Sequence, residues 1–349
     1  MTKAGSALTG IDTALLQMER PTNLMMVTGV AMLDKPITLA QLRDTLEARL
    51  LTIDQRFCMK VVKGRLPVGT PHWEKDPDFN LDAHLQHLAL PAPGDEAALR
   101  TLIGDLASRP IDFSKSPWQM HLVDNVQGGS ALVVRFHHCV ADGASVKYIM
   151  AHLMDTERVP TKAPVPPPAQ AAPKRRSRVG RLFSPVKGAL NNSKKTAGLL
   201  IDEGREVIQD PGHLRERAEF AAESVAVIGR LLVDAPDPAT PFKGALGVQK
   251  QVAWTAALPL KEVKFVAQAL DAKINDILMA AMAGALGAYL RGRDVDVADL
   301  KIHAVVPVDL RSPDKAHELG NGIGLAFVGL PLGIEDSALR LTAVQEHMD

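Results

Sequence analysis

Cysteine is scarce in this chain of 349 residues, which contains only Cys58 and Cys139. Two cysteines are too few for a disulfide framework or for a metal site built from thiolates, and they fit a reducing compartment. Net charge is also absent, because Lys plus Arg and Asp plus Glu both number 40. A neutral chain has no overall field that attracts nucleic acid, so we expect no nucleic-acid partner.

Long apolar runs are missing as well. The longest, from Ile277 to Leu290, has 14 residues, whereas a helix needs roughly 20 to span a bilayer. The N-terminus lacks the apolar core of a secretory signal. The chain also has no P-loop, no HExxH and no GxSxG pattern, which argues against NTPases, zincins and serine hydrolases. We therefore expect a cytoplasmic protein of a different enzymatic class.

What is present is a mixed α/β pattern with 46% hydrophobic residues, enough for a sizeable core. Strands are expected at 27–33, 57–62, 118–123, 131–136, 249–256, 301–308 and 322–330, and helices at 39–50, 96–107, 260–270 and 276–290. The third and fourth of these strands are close enough to form a hairpin through 125–130. The pattern predicts two α/β domains, 1–157 and 246–349, joined by the segment 158–245.

The joining segment is rich in Pro and Ala at first and then basic. Eight Lys or Arg residues and no acidic residue lie within 174–195. Apolar residues interleave with these cations, a pattern suited to the surface of an anionic membrane or a lipid inclusion. Pro185 interrupts any single amphipathic helix there, so a solvated tether is an equally good interpretation.

The clearest functional motif follows the strand ALVVRF and reads HHCVADG, from His137 to Gly143. An imidazole has an ordinary pKa near 6.5, so it can accept a proton at neutral pH. Successive strand residues point to opposite faces, which argues against both histidines binding one metal ion. We interpret Asp142 as scaffold for a sharp turn, in which Gly143 would supply backbone dihedrals that other residues adopt only with strain.

The motif resembles the HHxxxDG signature of the chloramphenicol-acetyltransferase-like superfamily. Further segments resemble the bacterial wax ester synthase/diacylglycerol acyltransferases in particular, in family order from Leu8 to Gly333. They are LTGIDTALLQMERPTNLMMVTGV, HWEKDPDFNLDAHLQHLALPAPG, SPWQMHLVD, INDILMAAMAGALGAYL and VPVDLRSPDKAHELGNGIGLAFVGLPLG. Members of that family extend further at the C-terminus, so the resemblance implies an α/β, two-domain chloramphenicol-acetyltransferase-like fold with mixed sheets and flanking helices, whose second domain is incomplete.

The resemblance also implies a reaction. His138 would be the general base that activates a diacylglycerol or long-chain alcohol hydroxyl, which then attacks the thioester of acyl-CoA. No cofactor or metal is implied beyond acyl-CoA as co-substrate. Two alternatives stay open: an amine-acylating, condensation-type enzyme of the same superfamily, and a truncated member that binds lipid without turnover.

Four further residues are candidates for a role near this site. Asn275 and Asp276 open an Ala-rich helix, where they serve either as a plain cap or, by the resemblance, as support for the active site. Arg311 has the planar guanidinium that suits a buried ion pair with Asp142. Trp118 is interpreted as a packed aromatic that anchors a strand.

Overall fold

The computed structural model describes residues 5–62, 71–155, 237–311 and 319–348. Its strands are β1 (Met26–Leu33), β2 (Met59–Val62), β3 (His72–Lys75), β4 (Leu85–Ala89), β5 (Trp118–Val126), β6 (Gly129–His137), β7 (Lys301–Asp309) and β8 (Ile323–Pro331). Its helices are α1 (Gly10–Met18), α2 (Leu39–Thr45), α3 (Glu96–Ala107), α4 (Gly143–Leu153), α5 (Leu260–Ala269), α6 (Ile274–Arg291) and α7 (Ser337–Met348). Helix α2 continues into a π-helical turn, Leu46–Leu50, and a last turn, Leu51–Ile53.

Four strands form the main sheet in the order β1-β6-β5-β4. Strand β6 pairs antiparallel with β1 and β5, whereas β4 runs parallel to β5. Strands β5 and β6 form a hairpin whose tip residues Gln127 and Gly128 have φ of 51° and 86°, and positive φ at both positions suits a two-residue hairpin turn. The hairpin expected from the sequence is confirmed, and all nine residues of β6 are buried.

Helices cover both faces of this sheet. On one face α2 and α4 pack against β5 and β6, since Leu42 of α2 and Ile149 of α4 belong to the buried apolar cluster there. On the other face α3 packs through Leu99 and Ile103. The end of β6, where the histidine motif begins, is therefore held by a core on each side of the sheet.

Trp118 belongs to the first of these clusters and is fully buried. Its Nε1 donates to the carbonyl oxygen of Phe57 at 2.9 Å, and its ring stacks on His84 with centroids 4.4 Å apart. A buried indole needs a partner for its N–H, and this one has it. The expected role as a packed anchor is confirmed.

Strands β7 and β8 pair antiparallel in a separate two-stranded sheet. Helix α6 packs on it through Ala283 and Leu290, which contact a cluster that includes Val328. Helix α7 packs on α6 through Val344. The expected helix 276–290 is thus present and slightly longer, and the expected strands 301–308 and 322–330 shift by one residue at their ends.

The expected strand 249–256 is wrong. That segment has no regular secondary structure and pairs with no strand among the described residues. It lies instead across α3: the backbone N–H of Lys250 donates to Oγ of Ser108 at 2.7 Å, and Val252 packs on the apolar cluster of α3. An alternating pattern predicts an extended backbone but cannot show whether a neighbouring strand is available to pair with it.

The proposed boundaries at 157, 158, 245 and 246 stay a prediction. Most of the joining segment, including the whole basic stretch 174–195, lies outside the described residues. Across the ranges that are described, none of the helices combines the length and the apolar character needed to traverse a bilayer.

Candidate active site

His137 is the last residue of β6 and is fully buried. Its Nδ1 accepts a hydrogen bond from the backbone N–H of Cys139 at 3.1 Å, and its Nε2 lies 3.5 Å from Oε2 of Glu19. Burial, with a smaller contribution from neighbouring His138, lowers the pKa of His137 to about 4. His137 is therefore neutral at neutral pH, and its Nδ1 is occupied by the hydrogen bond from Cys139.

A Cys-His-Glu arrangement like that of a catalytic triad is formed by Cys139, His137 and Glu19. The Cys139 Sγ lies 3.0 Å from Nδ1 of His137. The thiol is nevertheless fully buried, and burial raises its pKa far above the ordinary value. A thiolate, not a thiol, is the nucleophile, so this arrangement does not suit covalent catalysis.

His138 is the first residue beyond β6 and is half-buried. Its backbone N–H donates to the carbonyl oxygen of Met25 at 2.8 Å, and its own carbonyl accepts from Nδ2 of Asn321 at 2.7 Å. Of its two ring nitrogens, only Nδ1 is both buried and without a hydrogen-bond partner in the described part of the chain. Nδ1 is therefore enclosed by the protein, which leaves Nε2 as the candidate nitrogen for contact with a substrate.

The charge state of His138 follows from the same surroundings. Burial lowers its pKa, and Asn321, Asp142 and Asp12 only partly oppose that shift. A lowered pKa keeps the imidazole neutral at neutral pH, which is the state that can accept a proton.

Asp142 caps helix α4 and is fully buried. Its Oδ1 accepts from the backbone N–H of Ser145 at 2.8 Å, while Nη2 of Arg311 lies 2.6 Å from its Oδ2. Burial alone would raise the pKa of Asp142, but the hydrogen bonds from Ser145 and the ion pair with Arg311 outweigh it and lower the pKa. The pair expected from the sequence is formed, and it joins the start of α4 to the segment that follows β7.

The expected turn at Gly143 is wrong. Gly143 is the first residue of α4 and is not among the glycines with positive φ. A Cβ built on it would meet no atom within 4 Å. Because Asp142 starts a helix rather than a tight turn, position 143 takes a backbone conformation open to any residue.

Three polar residues that surround the motif were not predicted from the sequence. The guanidinium of Arg56 donates to the carbonyl oxygen of Val140 at 2.8 Å, and the amide of Asn321 bridges His138 and Asp12. Both Arg56 and Asp12 are buried. The sequence shows only an Asp within the largely apolar segment LTGIDTALL and an Asn between two glycines, and neither pattern indicates which residues the side chain contacts.

Asn275 and Asp276 lie in the first turn of α6. Asp276 is buried, and its Oδ2 accepts from the backbone N–H of Lys273 at 2.8 Å, which is the geometry of a helix N-terminus. Among the described residues, no hydrogen bond or ion pair joins either side chain to the histidine motif. Their support of the active site stays a prediction. Within the same ranges, no group of three or more His, Cys, Asp or Glu side chains is arranged to hold a metal ion.

The sequence of this chain is similar to those of known proteins. The sequence model described as the wax ester synthase/diacylglycerol acyltransferase catalytic domain matches residues 8–278. A putative diacylglycerol O-acyltransferase of Mycobacterium tuberculosis is 28% identical over 97% of this chain and 65% of its own length. A probable diacylglycerol O-acyltransferase of the same organism is 26% identical over 84% of this chain and 59% of its own length. The chain thus spans about two thirds or less of the length of these relatives.

Two solved structures share the fold. The wax ester synthase/diacylglycerol acyltransferase from Marinobacter aquaeolei VT8 has a TM-score of 0.62 at 20% identity, covering 98% of this chain and 71% of that one. The first condensation domain of the calcium-dependent antibiotic synthetase has a TM-score of 0.57 at 16% identity, covering 99% and 74%. The mixed α/β fold class expected from the sequence is confirmed.

Proposed function

The chain belongs to the wax ester synthase/diacylglycerol acyltransferase family, and we propose that it is an O-acyltransferase that moves a fatty acyl group from acyl-CoA to diacylglycerol or a long-chain alcohol. The observation that carries this proposal is His138. It is a half-buried imidazole that follows a fully buried strand, its pKa is lowered by burial, and its Nδ1 is enclosed, so we take Nε2 as the nitrogen that meets the substrate. A general base in such a position contributes roughly 10²–10⁴-fold to the rate.

In the proposed step, Nε2 of His138 accepts the hydroxyl proton as the alcohol oxygen attacks the thioester carbonyl. The new C–O bond forms, the C–S bond breaks, and the imidazolium returns the proton to the departing CoA thiolate. Ester and CoA are the products, with no change in oxidation state and no acyl-enzyme. Direct attack requires both substrates to be held side by side, so catalysis depends on positioning as much as on the base.

Asp142 and Arg311 support this step from a distance in our proposal. The two side chains form an ion pair, and Asp142 also accepts a hydrogen bond at the start of α4, so neither is free to exchange a proton with the substrate. Their ion pair instead holds the loop between β6 and α4, and hence the backbone of His138, in one position.

The next part of the proposal concerns which molecule accepts the acyl group. Diacylglycerol is our preferred acceptor, by the names of the mycobacterial relatives. The condensation-domain fold carries the alternative of an amine acceptor, since the same base would deprotonate an amine during attack. Contact with a membrane or lipid inclusion through 174–195 is a further part of the proposal, suggested by the substrate class and by the basic composition alone.

The test is release of CoA from palmitoyl-CoA, with hexadecanol, dioleoylglycerol and hexadecylamine offered separately and the acylated product identified by chromatography. We would compare the wild-type chain with His138→Ala and with His87→Ala. His87 lies on β4, exposed and paired with Asp124 at 2.7 Å, so it is a matched control for loss of an imidazole. Circular dichroism verifies that each variant is folded.

We expect acceptor-dependent release in the wild type and in His87→Ala, with a loss of roughly 10²–10⁴-fold in His138→Ala. The preferred acceptor separates triacylglycerol formation, wax ester formation and amide formation. If the folded wild type releases no CoA with any acceptor, the enzymatic proposal is wrong and lipid binding without turnover becomes the better account.

A further inference from the structure

The side-chain amide of Asn321 joins two parts of the site that are far apart in sequence. Its Nδ2 donates to Oδ1 of Asp12 at 2.5 Å and to the carbonyl oxygen of His138 at 2.7 Å. Asp12 belongs to α1 and is buried. The amide therefore lies directly against the backbone of the proposed base.

These two contacts determine which way the amide points. A carboxylate and a carbonyl both accept hydrogen bonds, so they require the NH₂ end of Asn321. The reversed amide would place Oδ1 against two acceptors and lose both bonds. Oδ1 consequently points away from Asp12 and from the His138 carbonyl.

Two buried polar atoms are left over at this place. Neither Oδ1 of Asn321 nor Nδ1 of His138 has a hydrogen-bond partner within the described ranges. One is an obligate acceptor, and the other can be a donor. A buried polar atom without a partner is unfavourable. The two atoms do not bond to each other in this structure, and a shift of the side chains that paired them would remove both penalties.

We propose that Asn321 is a positioning residue: its Oδ1 accepts a hydrogen bond from Nδ1–H of His138 and thereby selects the tautomer whose Nε2 lone pair faces the substrate. Asp12 acts one step further out by holding the amide in the required orientation. This inference rests on the proposed function for the role of His138 as base, but the tautomer itself is a property of the protein without substrate.

The electrostatics agree with this arrangement. The titratable or charged groups that face His138 are Asp12 from α1, Asp142 at the start of α4 and the adjacent His137. Asn321 is the first of the groups that raise the pKa of His138 against the effect of burial, as expected for an acceptor that stabilises the protonated ring. In the opposite tautomer the Nδ1 lone pair would face Oδ1, and Nε2 could not accept a proton.

The test is ¹⁵N NMR of the full 349-residue chain labelled at histidine, in which the two ring nitrogens report the tautomer directly. The spectrum of His138→Gln identifies the His138 signals. The test variants are Asn321→Leu, which removes both ends of the amide, and Asp12→Asn, which keeps an acceptor for Nδ2 but removes the charge. Gln86→Leu is the control, because Gln86 is an exposed amide on β4.

We expect wild type, Asp12→Asn and Gln86→Leu to hold His138 as the Nδ1–H tautomer, and Asn321→Leu to show a mixture. The pKa of His138 should fall in Asn321→Leu and in Asp12→Asn, since both residues raise it. The acid limb of kcat/KM should move to lower pH in both variants. In Asn321→Leu, kcat should fall roughly tenfold or more, within the contribution of a general base, while KM changes little.

An Nε2–H tautomer in the wild type overturns the proposal, and this result needs no variant to fold. An unchanged tautomer in a folded Asn321→Leu also overturns it, since another group would then set the proton. Absence of esterification in every protein would refute the proposed function alone, because the NMR result stands independently of turnover.

Discussion

The ion pair between Arg311 and Asp142 can be removed from either side, and the two removals differ in consequence. Arg311→Met leaves a carboxylate that is fully buried without its guanidinium. Asp142→Asn leaves a neutral side chain of nearly the same shape, and Arg311 keeps Asp309, whose Oδ1 lies 3.1 Å from Nη1. We expect Arg311→Met to be the more damaging change.

The magnitude follows from the burial of the pair. The side chains are 8% and 0% exposed and 2.6 Å apart, and removing one partner of such a pair costs about 3–5 kcal/mol of unfolding free energy. Asp142→Asn should cost less, about 1–3 kcal/mol, as expected for disturbed hydrogen bonds to a buried group. The double variant should be more stable than Arg311→Met, because it no longer contains a buried unpaired charge.

The sign of the pH dependence is part of the same prediction. In the wild type the pKa of Asp142 is lowered on folding, so its contribution to stability is present above the unfolded pKa near 3.9 and is lost as pH falls through the folded pKa. In Arg311→Met the lowering effect of the guanidinium is lost while burial still acts to raise the pKa, so we expect the pKa of Asp142 to be higher than in the wild type. The deficit of this variant should therefore be largest at neutral pH and shrink as the carboxyl becomes protonated.

Urea unfolding followed by circular dichroism measures these differences in free energy. Arg43→Met is the control, because Arg43 forms an exposed pair with Asp82, and exposed pairs contribute little. If Arg311→Met unfolds at the same urea concentration as the wild type, or if the double variant loses the sum of the two single effects, the pair does not act as a coupled buried unit and our reasoning is refuted.

Two further predictions concern buried titratable groups. Burial lowers the pKa of His137 and of His121 to about 4, so the unfolded chain binds more protons than the folded chain below pH 6.5. The free energy of unfolding should therefore fall as pH drops from 6.5 to 4, by about 3 kcal/mol for each residue. Urea midpoints at pH 7, 5.5 and 4.5 that did not decline would contradict this prediction. Cys139 should resist alkylation by iodoacetamide in the folded chain, because its thiol is buried and has a raised pKa, whereas the half-buried Cys58 should react first. If mass spectrometry found Cys139 modified before the chain unfolds, the prediction would be wrong and the motif would have to open in the folded state.

Local pattern was sufficient for many of the elements. The expected helix 96–107 matches α3 because Asp95 caps it, with Oδ1 accepting from the backbone N–H of Ala98 at 2.8 Å, and because Leu99, Ile103 and Leu106 fall on one face. The expectation failed at 249–256 and at Gly143. Both errors concern the surroundings of the segment in the folded chain. At 249–256 no neighbouring strand pairs with the segment among the described residues, and at Gly143 a helix begins where a turn was expected.

The residues of the candidate site also fall into two groups: those that the local sequence identified and those that it did not. His138 and Asp142 were identifiable from HHCVADG, because seven adjacent residues carry the pattern within one short segment. Asp12 and Asn321 were not identifiable as neighbours of His138, since 309 positions separate them from each other in the chain. No spacing rule relates two such positions, and an isolated Asp or Asn is usually an ordinary cap or turn residue.

By itself, then, the sequence determined the α/β class, the membership of an acyltransferase family and the identity of the proposed base, because these depend on local periodicity and on a contiguous motif. Only the tertiary structure decided which histidine is enclosed, which ring nitrogen of His138 is buried, and which distant amide and carboxylate surround it. Those properties depend on burial and on hydrogen-bond direction, and both arise only when segments far apart in the chain are packed together.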